Sequence, residues 1–295
     1  MQALRIQGWS FCTVAIAVSA LSLFMGRLEQ QTELVVLAFL IIALGVPHGA
    51  LDTIFARQLY NVKSVRSWLA FVVIYLALAI FVVALWHYAP FWFLLGFLMI
   101  SATHFSGDLA TGTPVFLRVI YGAAIIVLPN LFHSDEIVRI FSFLVNADAA
   151  RQMGVYLNLL AWPWVLAIAI GIVIEIGKNA LTALEIASLG LLATVASPLV
   201  AFTVFFCGMH STRHIMRTLD YSGKSSVGLV IASAFGPMIA ILVGATVAWF
   251  ALRDIPLDAR IIQMVFIGLA ALTVPHMALV EQVRISGWSK GARST

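Results

Sequence analysis

"LVVLAFLIIALGVPHGALDT", residues 34–53, decides how this chain folds. The run 34–44 is apolar throughout and reads as the interior of a membrane helix. It leads straight into Pro47, His48 and Asp52, residue types that a bilayer interior disfavours. Either the helix ends at residue 45, or His48 and Asp52 lie in the membrane for a chemical reason.

The rest of the chain favours the second alternative. Of its 295 residues, 62% are hydrophobic and only 10% charged, against about 25% charged in ordinary soluble domains. Mean hydropathy is +1.03, and apolar stretches of bilayer-spanning length recur from end to end. We therefore expect an all-α, polytopic transmembrane helical bundle, with residues 1–295 forming a single domain. About ten spans (eight to ten) are expected, at about 9–26, 34–57, 68–88, 91–110, 114–132, 155–175, 180–197, 199–219, 228–251 and 260–283. The N-terminal order of charge followed by apolar run resembles a signal peptide, but further apolar helices follow, so it reads as the first span. Residues 134–150 are amphipathic behind a serine cap signal and are expected to lie along the interface. Trp68, Trp86, Trp92, Trp162 and Trp164 are expected near span ends.

A cytoplasmic N-terminus puts Arg27, Arg139, Arg151, Arg253 and Arg260 outside and the other twelve of the 17 basic residues inside. That asymmetry is what the positive-inside rule requires, and it places the C-terminus in the cytoplasm too. The pI near 9.3 thus reflects short basic loops and gives no reason to expect nucleic-acid binding. Cys12 and Cys207 both fall in apolar runs, which argues against disulfides and zinc-thiolate sites. The orientation depends on splitting 180–210 at Ser197-Pro198; a single helix there would invert everything downstream.

The histidines support the split. His87 and His133 lie at span ends and read as loop residues. His48, His104, His210, His214 and His276 all fall in even-numbered spans, in the cytoplasmic half and at one depth. His210 and His214 are spaced i, i+4, so both can reach one metal ion. Asp52 and Asp108 stand at i+4 from His48 and His104, placed to accept the second N–H of an imidazole if the helices bend, as Pro47 and Gly49 allow. A lone intramembrane histidine is often only an interhelical hydrogen-bond partner; five with two aspartates in one layer are harder to explain by packing. Arg213, between the paired histidines, is expected to meet an acidic neighbour or a headgroup.

Imidazole ligands suit zinc, copper, iron and nickel alike. "HSTRH" (210–214) lacks the glutamate of the zinc-protease signature HExxH. Five histidines are too few for the two metals of a di-iron desaturase, so a mononuclear site is favoured. Structural zinc would need a closed tetrahedral set and would leave His276 without a role. A transporter should carry polar groups across both membrane halves, and the outer half has almost none. A non-catalytic retinal- or metal-binding protein stays open.

"PHGALD" (47–52), "HFSGD" (104–108), "FFCGMHSTRH" (205–214) and "VPH" (274–276) together resemble the motif set of the Brp/Blh family, the prokaryotic membrane β-carotene 15,15′-dioxygenases. The resemblance runs over 47–276, and "PHGALD" is its most specific piece. It implies Fe(II) as cofactor, His48, His104, His210 and His214 as its ligands, and His276 close by as a further ligand, a hydrogen-bond donor or an oxygen-side group. Asp52 and Asp108 would orient ligands. It also implies β-carotene and dioxygen as substrates, retinal passed to a microbial rhodopsin, and residence in the prokaryotic inner membrane. Another polyene or an off-centre bond would use the same ligands. The phenylalanine-rich runs "FWFLLGF" (91–97) and "AFTVFF" (201–206), with Tyr156 and Trp162, are candidate polyene contacts.

Overall fold

The computed structural model describes residues 2–24, 30–223 and 227–285, and among them there are helices and no strands. Helix α1 is Gln2–Phe24. Helix α2, Gln30–Leu40, passes through a π-turn, Ile41–Gly45, and a 3₁₀ stretch, Val46–Leu51, into α3, Asp52–Tyr60. Helices α4 (Val65–Tyr88), α5 (Pro90–Phe105), α6 (Val115–Val127), α7 (Ser134–Ser142), α8 (Ala147–Ile176) and α9 (Ala180–Val195) follow. Helix α10 (Pro198–Val204) runs through a π segment, Phe205–Ser211, into α11 (Thr212–Ser222). Helices α12 (Val227–Ala251) and α13 (Leu257–Ile285) complete the bundle.

Among the described residues, six helical stretches are long and apolar enough to cross a membrane: Gln2–Phe24, Gln31–Tyr60, Val65–Tyr88, Ala147–Ile176, Ile231–Ala251 and Leu257–Arg284. The other expected spans are shorter or broken. Residues 106–114, "SGDLATGTP", form turns, so the span expected at 91–110 stops at Phe105. Val115–Leu131 is bent by 107° against Ser134–Ser142. The expected break between 180–197 and 199–219 is present, with Ala196 extended and Pro198 opening α10.

The amphipathic segment expected at 134–150 is α7 alone. His133, not a serine, precedes it without a capping side chain, and Asn146 caps α8 through the amide of Ala149 (2.9 Å). Trp162 and Trp164 lie in the middle of the 30-residue α8 rather than near an end.

Two apolar clusters flank the histidine layer. One gathers Phe11, Tyr121, Ile186, Leu189, Leu192 and Phe205 from α1, α6, α9 and the α10–α11 break. The other joins Phe93 and Leu94 of α5 to Ile137, Met153 and Ile262. Helix α6 meets the end of α5 so closely that a Cβ on Gly122 would lie 2.2 Å from the carbonyl oxygen of Ala102. This contact fixes the turn from which His104 projects.

Candidate metal centre

Two broken helices face each other at the site. Pro47 has no N–H to give a regular α-turn, and the chain opens first to π and then to 3₁₀ geometry around it. Ser211 Oγ donates to the carbonyls of Leu44 (2.7 Å) and Gly45 (2.9 Å) at that break. Gly45 O also accepts from His48 Nδ1 (2.6 Å). On the opposite helix the π segment Phe205–Ser211 is held by Thr212 Oγ1 donating to Cys207 O (2.7 Å). Interruptions of this kind concentrate at functional sites, because they aim side chains that a regular helix would point elsewhere.

All five expected histidines come together, each nearly fully buried. Ring centroids lie 4.4 Å apart for His104–His210, 5.0 Å for His48–His210, 5.2 Å for His48–His276 and 5.0 Å for His214–His276. The ligating atoms of His48, His104 and His276 lie within 4.8 Å of one another. His276, the histidine whose role the sequence leaves most open, is therefore in the inner group.

The carboxylates are buried, but they pair across helices rather than with their i+4 neighbours. His276 Nδ1 donates to Asp52 Oδ1 (2.6 Å), and His210 Nδ1 donates to Asp108 Oδ2 (3.0 Å) and Oδ1 (3.1 Å). At three residues per turn, the 3₁₀ stretch rotates Asp52 about a third of a turn away from His48, where an α-helix would nearly align them. Helix α5 ends at Phe105, so Asp108 leaves the face that carries His104.

Several residues complete the site, and of these Tyr75, Gln7, Glu185 and Arg217 were not singled out in the sequence. Tyr75 of α4 donates its hydroxyl to Asp52 Oδ2 (2.9 Å), so both oxygens of that carboxylate are engaged. Arg213 donates to the carbonyl of Asp108 (2.8 Å), to Gln7 Oε1 (2.8 Å) and to Glu185 Oε1 (2.7 Å), a buried ion pair of the acidic-neighbour kind expected for it. Arg217 Nη1 donates to Gly107 O (2.6 Å). The available signal was a lone ionisable group in a largely apolar stretch, as with Tyr75 in "VVIYLALAI" (72–80) and Glu185 in "TALEIASLG" (182–190).

The donor set fits one metal ion. A neutral imidazole carrying its proton on Nδ1 presents a lone pair at Nε2, and acceptors on Nδ1 impose that tautomer on His48, His210 and His276. His276 Nε2 is buried with no hydrogen-bond partner among the described residues. His210 Nε2 lies 3.0 Å from His104 Nε2, the spacing of two nitrogens at about 90° around one ion with bonds of about 2.1 Å. Carboxylates behind the imidazoles raise ligand basicity and fix ring orientation.

An apolar cavity of about 880 Å³ adjoins the histidines, with His48, His104 and His276 on its wall. That is near the upper end of small-molecule sites, typically 300–1,000 Å³. Trp68, Phe71 and Tyr75 of α4, Phe97 of α5, and Phe202 and Phe206 also line it. Tyr156 and Trp162 do not: they project from the outer face of α8, exposed to 48% and 68%.

Fold and site together define a class: a helical, membrane-type protein with a buried polyhistidine centre opening on an apolar cavity. Comparison with known proteins narrows the class. The family model described as beta-carotene 15,15'-dioxygenase matches residues 39–284. A beta-carotene 15,15'-dioxygenase from uncultured marine bacterium 66A03 is 31% identical over 257 residues, covering 82% of this chain and 90% of the relative. A probable beta-carotene 15,15'-dioxygenase Blh from Halobacterium salinarum is 27% identical over 323 aligned residues, covering 95% of this chain and 92% of the relative. No solved structure matches the chain. The chain belongs to the β-carotene 15,15′-dioxygenase (Brp/Blh) family, and with it to the carotenoid-cleaving oxidoreductases.

Proposed function

We propose that this protein cleaves the central 15,15′ double bond of β-carotene with dioxygen at a mononuclear non-haem Fe(II) centre, releasing two molecules of all-trans-retinal. The observation that carries the reading is the convergence of buried imidazoles, with Nε2 lone pairs turned inward, on the wall of an apolar cavity. His48, His104, His210 and His214 hold the ion, and His276 joins them through its otherwise unpartnered Nε2.

Bound Fe(II) supplies the activation of dioxygen that an alkene cleavage requires. The chain supplies the rest. Asp52 and Asp108 hold the Nδ1 protons of His276 and His210, and Tyr75 fixes Asp52. The apolar cavity excludes water and keeps the polyene beside the imidazoles, so that orientation replaces diffusional encounter. Overall, one carbon–carbon double bond breaks and two aldehyde carbonyls form. Both oxygens come from dioxygen, so no further reductant is consumed.

The proposal extends to the setting: a prokaryotic cytoplasmic membrane crossed eight to ten times, the six long helices being joined by shorter and broken ones, with both termini inside and residues 1–295 acting as one domain. Carotene dissolved in lipid reaches the cavity from the side, past Val72 and Leu76, which line it and are also exposed on the outer surface. Retinal then passes to a microbial rhodopsin. The experiment is expression in bacteria that accumulate β-carotene, beside a His210→Ala control, with retinoids quantified in the extracts. All-trans-retinal is expected with the native chain and none with the control. Untouched carotene beside well-expressed, iron-loaded protein would sink the reading.

A further inference from the structure

The cavity is long and unequal about the histidines. Tyr75 bonds the carboxylate that bonds His276, so it marks their depth on α4. From there the lining runs to Trp68 in one direction and to Trp86 in the other. At 1.5 Å per residue these arms are about 10 Å and about 16 Å long. On α13 the lining extends from His276 to Gln263, about 20 Å by the same rise.

The far end of the longer arm is braced. Trp86 Nε1 donates to Leu144 O (2.7 Å), and Gln263 Nε2 donates to Phe143 O (2.8 Å). Two side chains from different helices are thus pinned to adjacent carbonyls of the turn after α7, and both face the cavity. The side of this arm is formed by small residues of α12. Thr53 Oγ1 donates to Ser233 O (3.1 Å), which sets the start of α12 beside Asp52. Gly236, Ala240, Gly244 and Ala248 then line the cavity turn by turn toward the braced end. An added Cβ at Gly236 or Gly244 would meet nothing within 4 Å. The other end of the arm carries His276, whose buried Nε2 lacks a partner among the described residues. An apolar slot with a fixed stop at one end and the histidine layer at the other suits a rigid rod.

Resting on the cleavage reading above, we propose that the long arm is a ruler. One ring-bearing half of the polyene slides along the Gly236–Ala248 face of α12 until its ring meets Trp86 and Gln263. The histidines then lie against the double bond a fixed length from that ring. Position is measured from one end of the substrate, so an intact second half is not required for the choice of bond.

The test uses the full chain in lipid nanodiscs and an apocarotenal that keeps one complete ring-bearing half, with products identified by mass spectrometry. The unsubstituted chain is expected to cut it at the same 15,15′ bond as β-carotene. Trp86→Ala recedes the stop, and the ring-bearing product should lengthen by at least one double bond. Gly244→Leu obstructs the arm, and that product should shorten. In metal-free protein, Gly244→Leu should also weaken β-carotene binding, followed by quenching of tryptophan fluorescence, by about tenfold or more. A ring-bearing product of unchanged length in Trp86→Ala, or unchanged binding in Gly244→Leu, overturns the ruler. If the unsubstituted chain binds carotenoid tightly and cuts nothing, the cleavage reading fails instead, and the binding comparison still decides whether the arm holds the polyene.

Discussion

A methyl group added at Gly122 would lie 2.2 Å from the carbonyl oxygen of Ala102 and 2.5 Å from the amide nitrogen of Ser106, whereas one added at Gly236 would meet nothing within 4 Å. The two glycines belong to helices on opposite sides of the same histidine layer. Around Gly122, helices α1, α5, α6, α8 and α9 interlock, with Tyr121, Leu189 and Phe205 fully buried. Around Gly236, α12 stands away from the packed pair α4 and α13, and the cavity lies between them. One half of the molecule holds the imidazoles still, and the other half makes room beside them. Interiors packed to crystal-like density transmit a displacement, whereas a cavity absorbs it, so equal substitutions should have unequal consequences on the two sides.

The largest effect is expected on the tight side. Gly122→Ala sets a Cβ against backbone atoms of Ala102 and Ser106 that cannot swing away. Overpacking of this kind costs roughly 1–3 kcal/mol, and backbone obstruction places it at the upper end. The end of α5 has to shift, and His104 shifts with it. A lower thermal midpoint in detergent, together with loss of bound metal, checks this; an unchanged protein would mean that the two halves are not differently packed.

Next comes the carboxylate between the halves. Asp52→Asn keeps the shape but gives His276 a weaker acceptor, and loss of such a partner behind a ligand typically lowers metal affinity by about 10–100-fold. Metal competition with a chromophoric chelator reads this directly. Tyr75→Phe removes one donor to the same carboxylate, and a hydrogen bond to a charged group contributes about 1.5–3 kcal/mol at most. Because Tyr75 stands on the cavity wall, where neighbours can adjust, its effect on metal affinity should be smaller than that of Asp52→Asn, and the fold should be kept. Equal effects of the two substitutions would show that α4 is as rigid as α6.

What the sequence disclosed follows the same division. The histidine layer was legible because imidazoles and carboxylates are rare in apolar helices and each needs a reason to be there. The break at Pro198 and the opening around Pro47 were legible because proline removes a donor that nothing local replaces. The pairing of Asp52 with His276 and of Asp108 with His210 was not, because it depends on a 3₁₀ stretch and a helix end that rotate these carboxylates off their i+4 faces. Span lengths were overestimated where hydropathy runs past a turn, as between Phe105 and Pro114. Aromatic cavity residues were only half legible. Phe97, Phe202 and Phe206 line the cavity while Trp162 faces outward, and composition alone gives both kinds of position the same aromatic residues.

The smallest effect is the sharpest probe of the division. Gly236→Ala adds the same methyl as Gly122→Ala, also inside a helix, and alanine is the better helix former by about 1 kcal/mol. With nothing within 4 Å of the new Cβ, no packing penalty opposes that gain, so the thermal midpoint should stay the same or rise slightly. Gly45→Ala makes a matched control at the broken helix beside the histidines. Its Cβ would fall 2.3 Å from Phe206 Cε1, and that ring stacks on His210 with centroids 5.7 Å apart and meets His48 edge-on at 5.5 Å. Displacing Phe206 therefore presses on two imidazoles at once, and Gly45→Ala should lose both stability and metal. If Gly236→Ala proved as damaging as Gly45→Ala, the space beside α12 would be closed in the working protein, and the cavity would have to open only when the polyene arrives.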